Sequence, residues 1–379
     1  MVVSFYSDAI AKKNRFGLSR YAWELFNHLK KENPAWKIVP TFTHSERPES
    51  DLRSEQSWED GYRHLGWRRK IMAGLWTFVG LPRIDHWVPD AQVIHSVELG
   101  YPVATQKPWV VTIHDLGPLT HPEYFSANRP WLQRKAFELA SRRADAIIAV
   151  SQATANAIAN ESQVFVNDRV HVIPEGVSNF FFNTDTEMSE ESTNKNSCSV
   201  TSGSPFFLWS GSMNPRKNLR RVITAFEKIG DSVPEHLVLT GEIGWDSDQE
   251  KSLLQESPIA SRIHTMGYVT DERLRELYSA ATGFVYVSIM EGFGLPILEA
   301  MASGCPVITS NKPPMSDVAG SAALLVNPTS VEDIAKTMKS LSSQKTLRKN
   351  LSKSGINRAS QFKWERSAKK VSELYRQVA

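Results

Sequence analysis

Two glutamates, Glu291 and Glu299, stand on either side of a glycine-bracketed turn in the stretch SIMEGFGLPILEAMASGCPVITSN. A carboxylate accepts hydrogen bonds from two hydroxyls at once, so the hydroxyls of a sugar or a ribose suit either residue. Between them, Gly292 and Gly294 let the backbone approach a ligand closely, with Phe293 and Leu295 alongside. Pro296 opens a helix that carries Glu299 in its first turn, and the free N–H groups at that helix start favour an anion. Two solvated glutamates would show the same spacing.

A second pattern is WSGSMNPRKNLRRVITAF, where a strand ends at Gly211 and Arg216-Lys217 precede a helix starting near Asn218. Adjacent cations at a helix N-terminus oppose the helix dipole unless an anion neutralises them. Arginine grips a diphosphate through two parallel bonds and lysine acts as a point charge. A solvated surface pair is the other reading. In VVTIHDLGPLTHPEYF, His114 and Asp115 close a buried strand, where an imidazole serves either a ligand or the core. Gly17, in KKNRFGLSRYAWELF, leads into a helix after the first strand and reads equally as an ordinary turn.

These residues need strand ends to hold them. Candidate strands are MVVSFYS, WKIVPTF, AQVIHSV, PWVVTIHDL, ADAIIAVS and VHVIPEGV, and then FFLWSGS, HLVLTGE, IHTMGYV, GFVYVSI, CPVITSN and AALLV. Helical patterns such as GLSRYAWELFNHLKKE, NRPWLQRKAFELASRRA and RRVITAFEKIG lie between them. Near-continuous apolar strands alternating with amphipathic helices predict buried parallel sheets covered on both faces. The polar stretch 183–204 reads as a connector between two domains, 1–182 and 205–361. Residues 362–379 form a last amphipathic helix with no strand after it. The expected architecture is α/β, two Rossmann-like domains facing across a cleft, with ligands at the carboxyl ends of the strands.

A chain of 379 residues suits two domains. A formal charge of +3 gives no argument for nucleic acid. Cys198 and Cys305 are far apart, which suits a reducing compartment and offers no metal-ligand spacing. No signal-peptide layout opens the sequence and no apolar run is long enough to span a bilayer, so the expected location is the cytoplasm. Residues 61–87 gather Arg63, Arg68, Arg69 and Lys70 with Trp67, Trp76, Phe78 and Trp87. That mixture suits a peripheral contact with the inner face of the membrane or with a lipid-linked ligand. It equally suits a helix whose tryptophans face the core while its cations are solvated.

The stretch around Glu291 and Glu299 resembles the E-x7-E signature of the retaining nucleotide-sugar glycosyltransferases of family 4, which have the GT-B fold. GSMNPRKNL, VTIHDL, AVSQATANAI, VIPEGV and GYVTDERLRELYSAA resemble further landmarks of that family in the expected order, across nearly the whole chain. IHDLGPLTHPEYF and PRKN look most like mannosyltransferases of bacterial O-antigen and exopolysaccharide assembly.

The resemblance implies that Arg216 and Lys217 bind the donor diphosphate, Glu291 the hydroxyls of the transferred sugar and Glu299 the ribose. It implies diphosphate contacts from the N–H groups of Phe293 to Leu295, with Gly211, Gly292 and Gly294 part of the same site. Tyr268 and Val269 would border the base, His114 would lie beside the donor sugar near the reacting carbon, and Gly17's loop would close over the phosphates. Some members carry an arginine directly after the glycine matching Gly211, where this chain has Ser212. The implied reaction moves a hexose, best read as mannose from GDP-mannose, to a saccharide or polyprenyl-diphosphate-linked glycan, with no cofactor beyond the GDP- or UDP-linked co-substrate. Asp246-Ser247-Asp248, in a polar loop, reads as solvent-facing, so no metal is expected. A UDP-sugar-dependent hexosyltransferase and a non-catalytic partner subunit of the same fold are the alternatives. Two carboxylates alone would also suit a glycosidase, but that leaves the basic loop without a role.

Overall fold

The computed structural model describes residues 1–13, 17–53, 55, 58–66, 69–100, 102–125, 130–164, 166, 168–182, 201–241, 252 and 254–379. The chain divides into two compact units. The first comprises Met1–Thr120, Ala127–Gly176 and Lys363–Ala379, the second His121–Ser126 and Val177–Phe362. The division thus falls at Gly176–Val177 instead of 182, and a short piece from the middle of the N-terminal half belongs to the second unit.

The first unit holds a seven-stranded parallel sheet in the order β3-β2-β1-β4-β5-β6-β7. Its strands are β1 (Val2–Tyr6), β2 (Lys37–Phe42), β3 (Arg63–His64), β4 (Val93–Ser96), β5 (Trp109–Ile113), β6 (Ala146–Ala149) and β7 (Val170–Val172). Six coincide with the apolar runs of the sequence. The seventh, β3, is a two-residue edge strand pairing Thr41 with Arg63 and Phe42 with His64. Arginine and histidine carry no apolar pattern, and an edge strand needs none.

The second unit holds six parallel strands in the order β10-β9-β8-β11-β12-β13. They are β8 (Phe206–Ser210), β9 (His236–Thr240), β10 (Ile263–Thr265), β11 (Gly283–Tyr286), β12 (Val307–Ser310) and β13 (Leu324–Val326). Phe206 to Trp209, Leu237 to Leu239 and Phe284 to Val287 are all buried, as expected of strands with helices over both faces. The strand order reverses between β8 and β11, so the loops leaving these two neighbours run to opposite sides and leave room for a ligand between them.

The final helix, Trp364–Val378, packs in the first unit against the Leu18–Glu32 helix. Its apolar face buries Trp364, Ala368, Val371, Leu374 and Tyr375. Polar contacts fix its position. Asn33 donates from Nδ2 to Ser372 Oγ at 2.7 Å, and Arg376 donates to Asn33 Oδ1 at 2.8 Å. The Tyr375 hydroxyl meets His95 Nδ1 at 2.5 Å, and His95 Nε2 meets Thr112 Oγ1 at 2.8 Å. Burial, helped by the positive charge on His114, pushes the His95 imidazole down to about 3, so it is neutral and can donate from one nitrogen and accept at the other. Among the described residues no helix is long and apolar enough to cross a membrane.

Tyr375→Phe leaves one buried nitrogen of His95 without its partner. The expected cost is about 1–3 kcal/mol, read as a lower thermal midpoint and faster proteolytic release of the final helix. An unchanged midpoint would show that this bond does not hold the helix.

Candidate active site

In the second unit, β8 runs into Gly211, and a tight turn at Pro215–Lys217 precedes the Leu219–Ile229 helix. Asn218 joins turn to helix with φ of 61°, a left-handed conformation that asparagine tolerates better than most residues. Its Nδ2 donates to the carbonyls of Val287 at 2.9 Å and Pro328 at 2.7 Å. The backbone N–H of Ile289 donates to the Arg216 carbonyl at 2.8 Å. The loop after β8 is therefore stitched to the loop after β11, and this brings together residues some 75 positions apart.

Arg216 Nη1 lies 2.5 Å from Glu291 Oε2, and Lys217 Nζ lies 2.7 Å from Glu291 Oε1. Lys217 also donates to the Tyr286 hydroxyl, which in turn donates to Glu291 Oε1 at 2.9 Å. Arg216 reaches the Met290 carbonyl as well, and its guanidinium lies over the Phe125 ring. The Glu291 side chain is only 8% exposed. Burial pushes its carboxyl up, but the charges of Arg216 and Lys217 outweigh burial and hold it at about 2. Burial, reinforced by the charge on Glu291, pushes the Tyr286 phenol well up, so it stays a neutral donor. The cluster is a carboxylate shared by two cations, with a formal charge of +1. The sequence pattern suggested separate duties for these residues, whereas here they satisfy one another.

Three residues on, Gly294 caps the Leu295–Ala302 helix with φ of 108° and makes no side-chain cap bond, and Pro296 lies in the first turn. A Cβ at Gly294 would come within 3.1 Å of Ile297 Cδ1. Phe293 is buried and meets Phe362 edge-on. Glu299 sits in the second turn of this helix, not the first, and is buried. That removes the solvated reading for both glutamates.

The carboxyl edge of the sheet carries a feature that the motif reading passed over. Gly211 and Gly241 follow β8 and β9, and a Cβ at Gly241 would lie 2.0 Å from the Gly211 carbonyl oxygen. Only bare backbone fits there. Gly241 also donates to the Gly267 carbonyl after β10, just before Tyr268 and Val269. Tyr268 is exposed and Val269 half-buried at that strand end. A glycine after each of three successive strand runs was the available signal. Asp246-Ser247-Asp248 lies outside the described residues.

In the first unit, His114 follows β5. Its Nδ1 lies 3.3 Å from Glu175 Oε1, its Nε2 lies 3.1 Å from the Val97 carbonyl, and its ring stands edge-on to Tyr21. Burial lowers its affinity for a proton, but Glu175, the Val97 carbonyl and Asp115 outweigh this and raise the imidazole above its usual value. With an acceptor at each nitrogen, the ring is held as a double donor, an imidazolium. Asp115 turns inward to accept from the Gly117 N–H. Glu175 belongs to VIPEGV and is nearly buried, and its partnership with His114 was not visible in spacing. Gly17 caps the Leu18–Glu32 helix with φ of 54°.

A family model described as "Glycosyl transferases group 1" matches residues 191–358, and one described as "Glycosyltransferase Family 4" matches residues 17–179. "O-antigen chain mannosyltransferase B" of Escherichia coli is 36% identical over 173 residues, 45% of this chain and 45% of that one. "Serotype-specific mannosyltransferase WbdA" of Escherichia coli is 29% identical over 274 residues, 70% of this chain and 33% of that one. The chain thus spans a third to about half the length of these curated relatives. Among solved structures it shares its fold with sucrose-phosphate synthase from Thermosynechococcus elongatus, at TM-score 0.77 and 20% identity over 100% of this chain and 98% of that one.

The raised proton affinity of His114 sets a direction for stability against pH. The His114–Glu175 contribution is full below the ordinary histidine value of 6.5 and is lost as pH rises through the raised, folded value. Glu175→Gln should therefore lower the thermal midpoint most at pH ~6, by about 1–3 kcal/mol, with the gap to wild type narrowing by pH ~9. A gap that does not change with pH would contradict a charged imidazole.

Proposed function

We propose that the chain is a glycosyltransferase, since models of the group 1 and family 4 glycosyltransferases match its two halves, and that it moves a hexose, mannose from GDP-mannose, to a saccharide or polyprenyl-diphosphate-linked glycan in bacterial surface polysaccharide synthesis. Two of its relatives are mannosyltransferases, which supports mannose over other sugars. The observation that carries the reading is the buried Arg216–Glu291–Lys217 cluster beside an uncapped helix start at the strand-order reversal.

That arrangement suits a ligand with a diphosphate on one side and hydroxyls on the other. A diphosphate at the Leu295 helix start competes with Glu291 for both cations, since phosphate oxygens carry more charge than one carboxylate. Glu291, drawn off its partners, becomes an acceptor for hydroxyls of the transferred sugar. Glu299 takes the ribose, while Gly211, Gly241 and the residues at Tyr268 and Val269 leave room for the rest of the nucleotide.

In the reaction the bond between the anomeric carbon and the diphosphate oxygen breaks, and the departing oxygen keeps the electron pair. The acceptor hydroxyl oxygen bonds to that carbon on the face the diphosphate leaves, so configuration is retained, and its proton passes to the departing phosphate oxygen. Arg216, Lys217 and the helix N–H groups are fixed dipoles and charges aimed at the charge that develops, and they supply what a metal would otherwise supply. The reaction belongs in the cytoplasm, where sugar nucleotides are made.

The test is donor hydrolysis and nucleotide binding across GDP-mannose, UDP-glucose, UDP-galactose and UDP-N-acetylhexosamines, with and without added divalent metal. GDP-mannose should turn over selectively without metal. Selective turnover of a UDP-sugar would keep the reaction and change the donor, and no binding to any would favour a non-catalytic partner subunit. Glu291→Gln should tighten nucleoside diphosphate binding by about tenfold, because two cations lose their internal anion, while turnover falls by about 10²-fold or more. Weaker diphosphate binding in that variant would refute the competition. Glu299→Ala should raise the donor dissociation constant about tenfold, and an unchanged value would remove the ribose assignment.

A further inference from the structure

Residues 61–87 combine cations with aromatics, and the structure sorts which of them reach solvent. The Arg69–Gly74 helix continues into a wider turn at Leu75–Val79, which Gly80 ends. One side of this segment is core. Met72, Ala73 and Trp76 are buried, and Trp76 Nε1 donates to the Pro82 carbonyl at 2.6 Å. Trp87 packs on the same core, and Arg63 is committed to the Trp87 and Tyr62 carbonyls. Trp67 and Arg68 lie outside the described residues.

The other side faces water. Phe78 is 64% exposed, Val79 61%, Ile71 49% and Leu81 49%. Trp131, from the start of the Pro130–Arg143 helix, is 56% exposed and places its ring 6.0 Å from that of Phe78. Of the ten large apolar side chains exposed among the described residues, these five lie within one short segment and the ring beside it. Scattered exposure is ordinary, but a contiguous aromatic and aliphatic patch marks a contact. From Gly61 to Ile84 the sequence holds Arg63, Arg68, Arg69, Lys70 and Arg83 and no Asp or Glu, and Lys70 is exposed.

The charge decides the occupant. A second copy of this chain, docked symmetrically, would set two wholly basic segments face to face. An anionic lipid surface offers the opposite charge at its headgroups and an apolar layer just below for exposed Phe, Trp and aliphatic side chains. We propose that Ile71, Phe78, Val79, Leu81 and Trp131 insert into the interface of an anionic membrane, with Lys70 held at the headgroups. This contact is independent of the donor site and stands whichever sugar is transferred.

The test is co-sedimentation of the full chain with phosphatidylcholine vesicles, with and without phosphatidylglycerol, at low salt and at about 0.5 M salt. Binding should require phosphatidylglycerol and fall severalfold at high salt. Phe78→Ser with Val79→Ser, and separately Trp131→Ser, should each cut binding tenfold or more while hydrolysis of a soluble donor stays at the wild-type rate. That rate also shows each variant to be folded, and Leu81→Ser serves if either fails it. No vesicle binding by wild type, equal binding to both vesicle types, or full binding by the folded variants would overturn the proposal. So would a wild-type dimer that Phe78→Ser dissociates, which would reassign the patch to a second copy.

Discussion

Two cations side by side in a turn and largely withdrawn from water repel each other, and the C-terminal unit is arranged around the carboxylate that keeps Arg216 and Lys217 together. Removing water from three charges is costly unless each finds partners of good geometry. Here Glu291 uses both oxygens, Tyr286 adds a hydroxyl, and Met290 a carbonyl. The backbone bonds from Asn218 and Ile289 hold the two loops at the spacing this requires. Two cations on one carboxylate leave the cluster with a formal charge of +1, so it keeps an attraction for an anion.

The N-terminal unit shows the same principle with the opposite sign at two histidines. His95 lies within β4 and His114 follows the neighbouring β5, yet burial pushes the first imidazole down while the acceptors around the second push it up. His95 has hydroxyl neighbours, Tyr375 and Thr112, which can donate or accept. His114 faces only acceptors, the Glu175 carboxylate and the Val97 carbonyl. A charge at His114 also discourages one at His95, so the two protonation states reinforce each other. The neutral histidine fastens the final helix and the charged one stands at the carboxyl edge of the sheet.

Strands were legible because the interior of a parallel sheet demands runs such as FFLW and WVVTI, which little else in a protein requires. β3 was not, since Arg63 and His64 pair only at an edge. The separate chemical character of Arg216, Lys217, Glu291 and Glu299 was readable from residue type and position at strand ends. Their mutual contacts were not, because they depend on Asn218 folding one loop toward another far along the chain. Tyr286 reads as one more strand residue, and Glu175 as part of a turn. Each joins the chemistry only through its tertiary neighbours. In residues 61–87 the core reading holds for Trp76, while Phe78 is exposed, because a widened turn rotates successive side chains differently from a regular helix.

The final helix closes the first unit from the far end of the sequence, and the chain leaves and re-enters that unit at Val177 and Phe362, whose backbones bond at 2.9 Å. During synthesis the order of completion is therefore inverted. The six strands β8 to β13 are all available before Trp364 emerges from the ribosome, whereas the earlier sheet must wait with Gly176 and His95 uncovered until that helix arrives. Domains ordinarily fold in the order they are made. In this chain the unit that begins at Met1 is completed only by residues 363–379, after every strand of the other unit has been made.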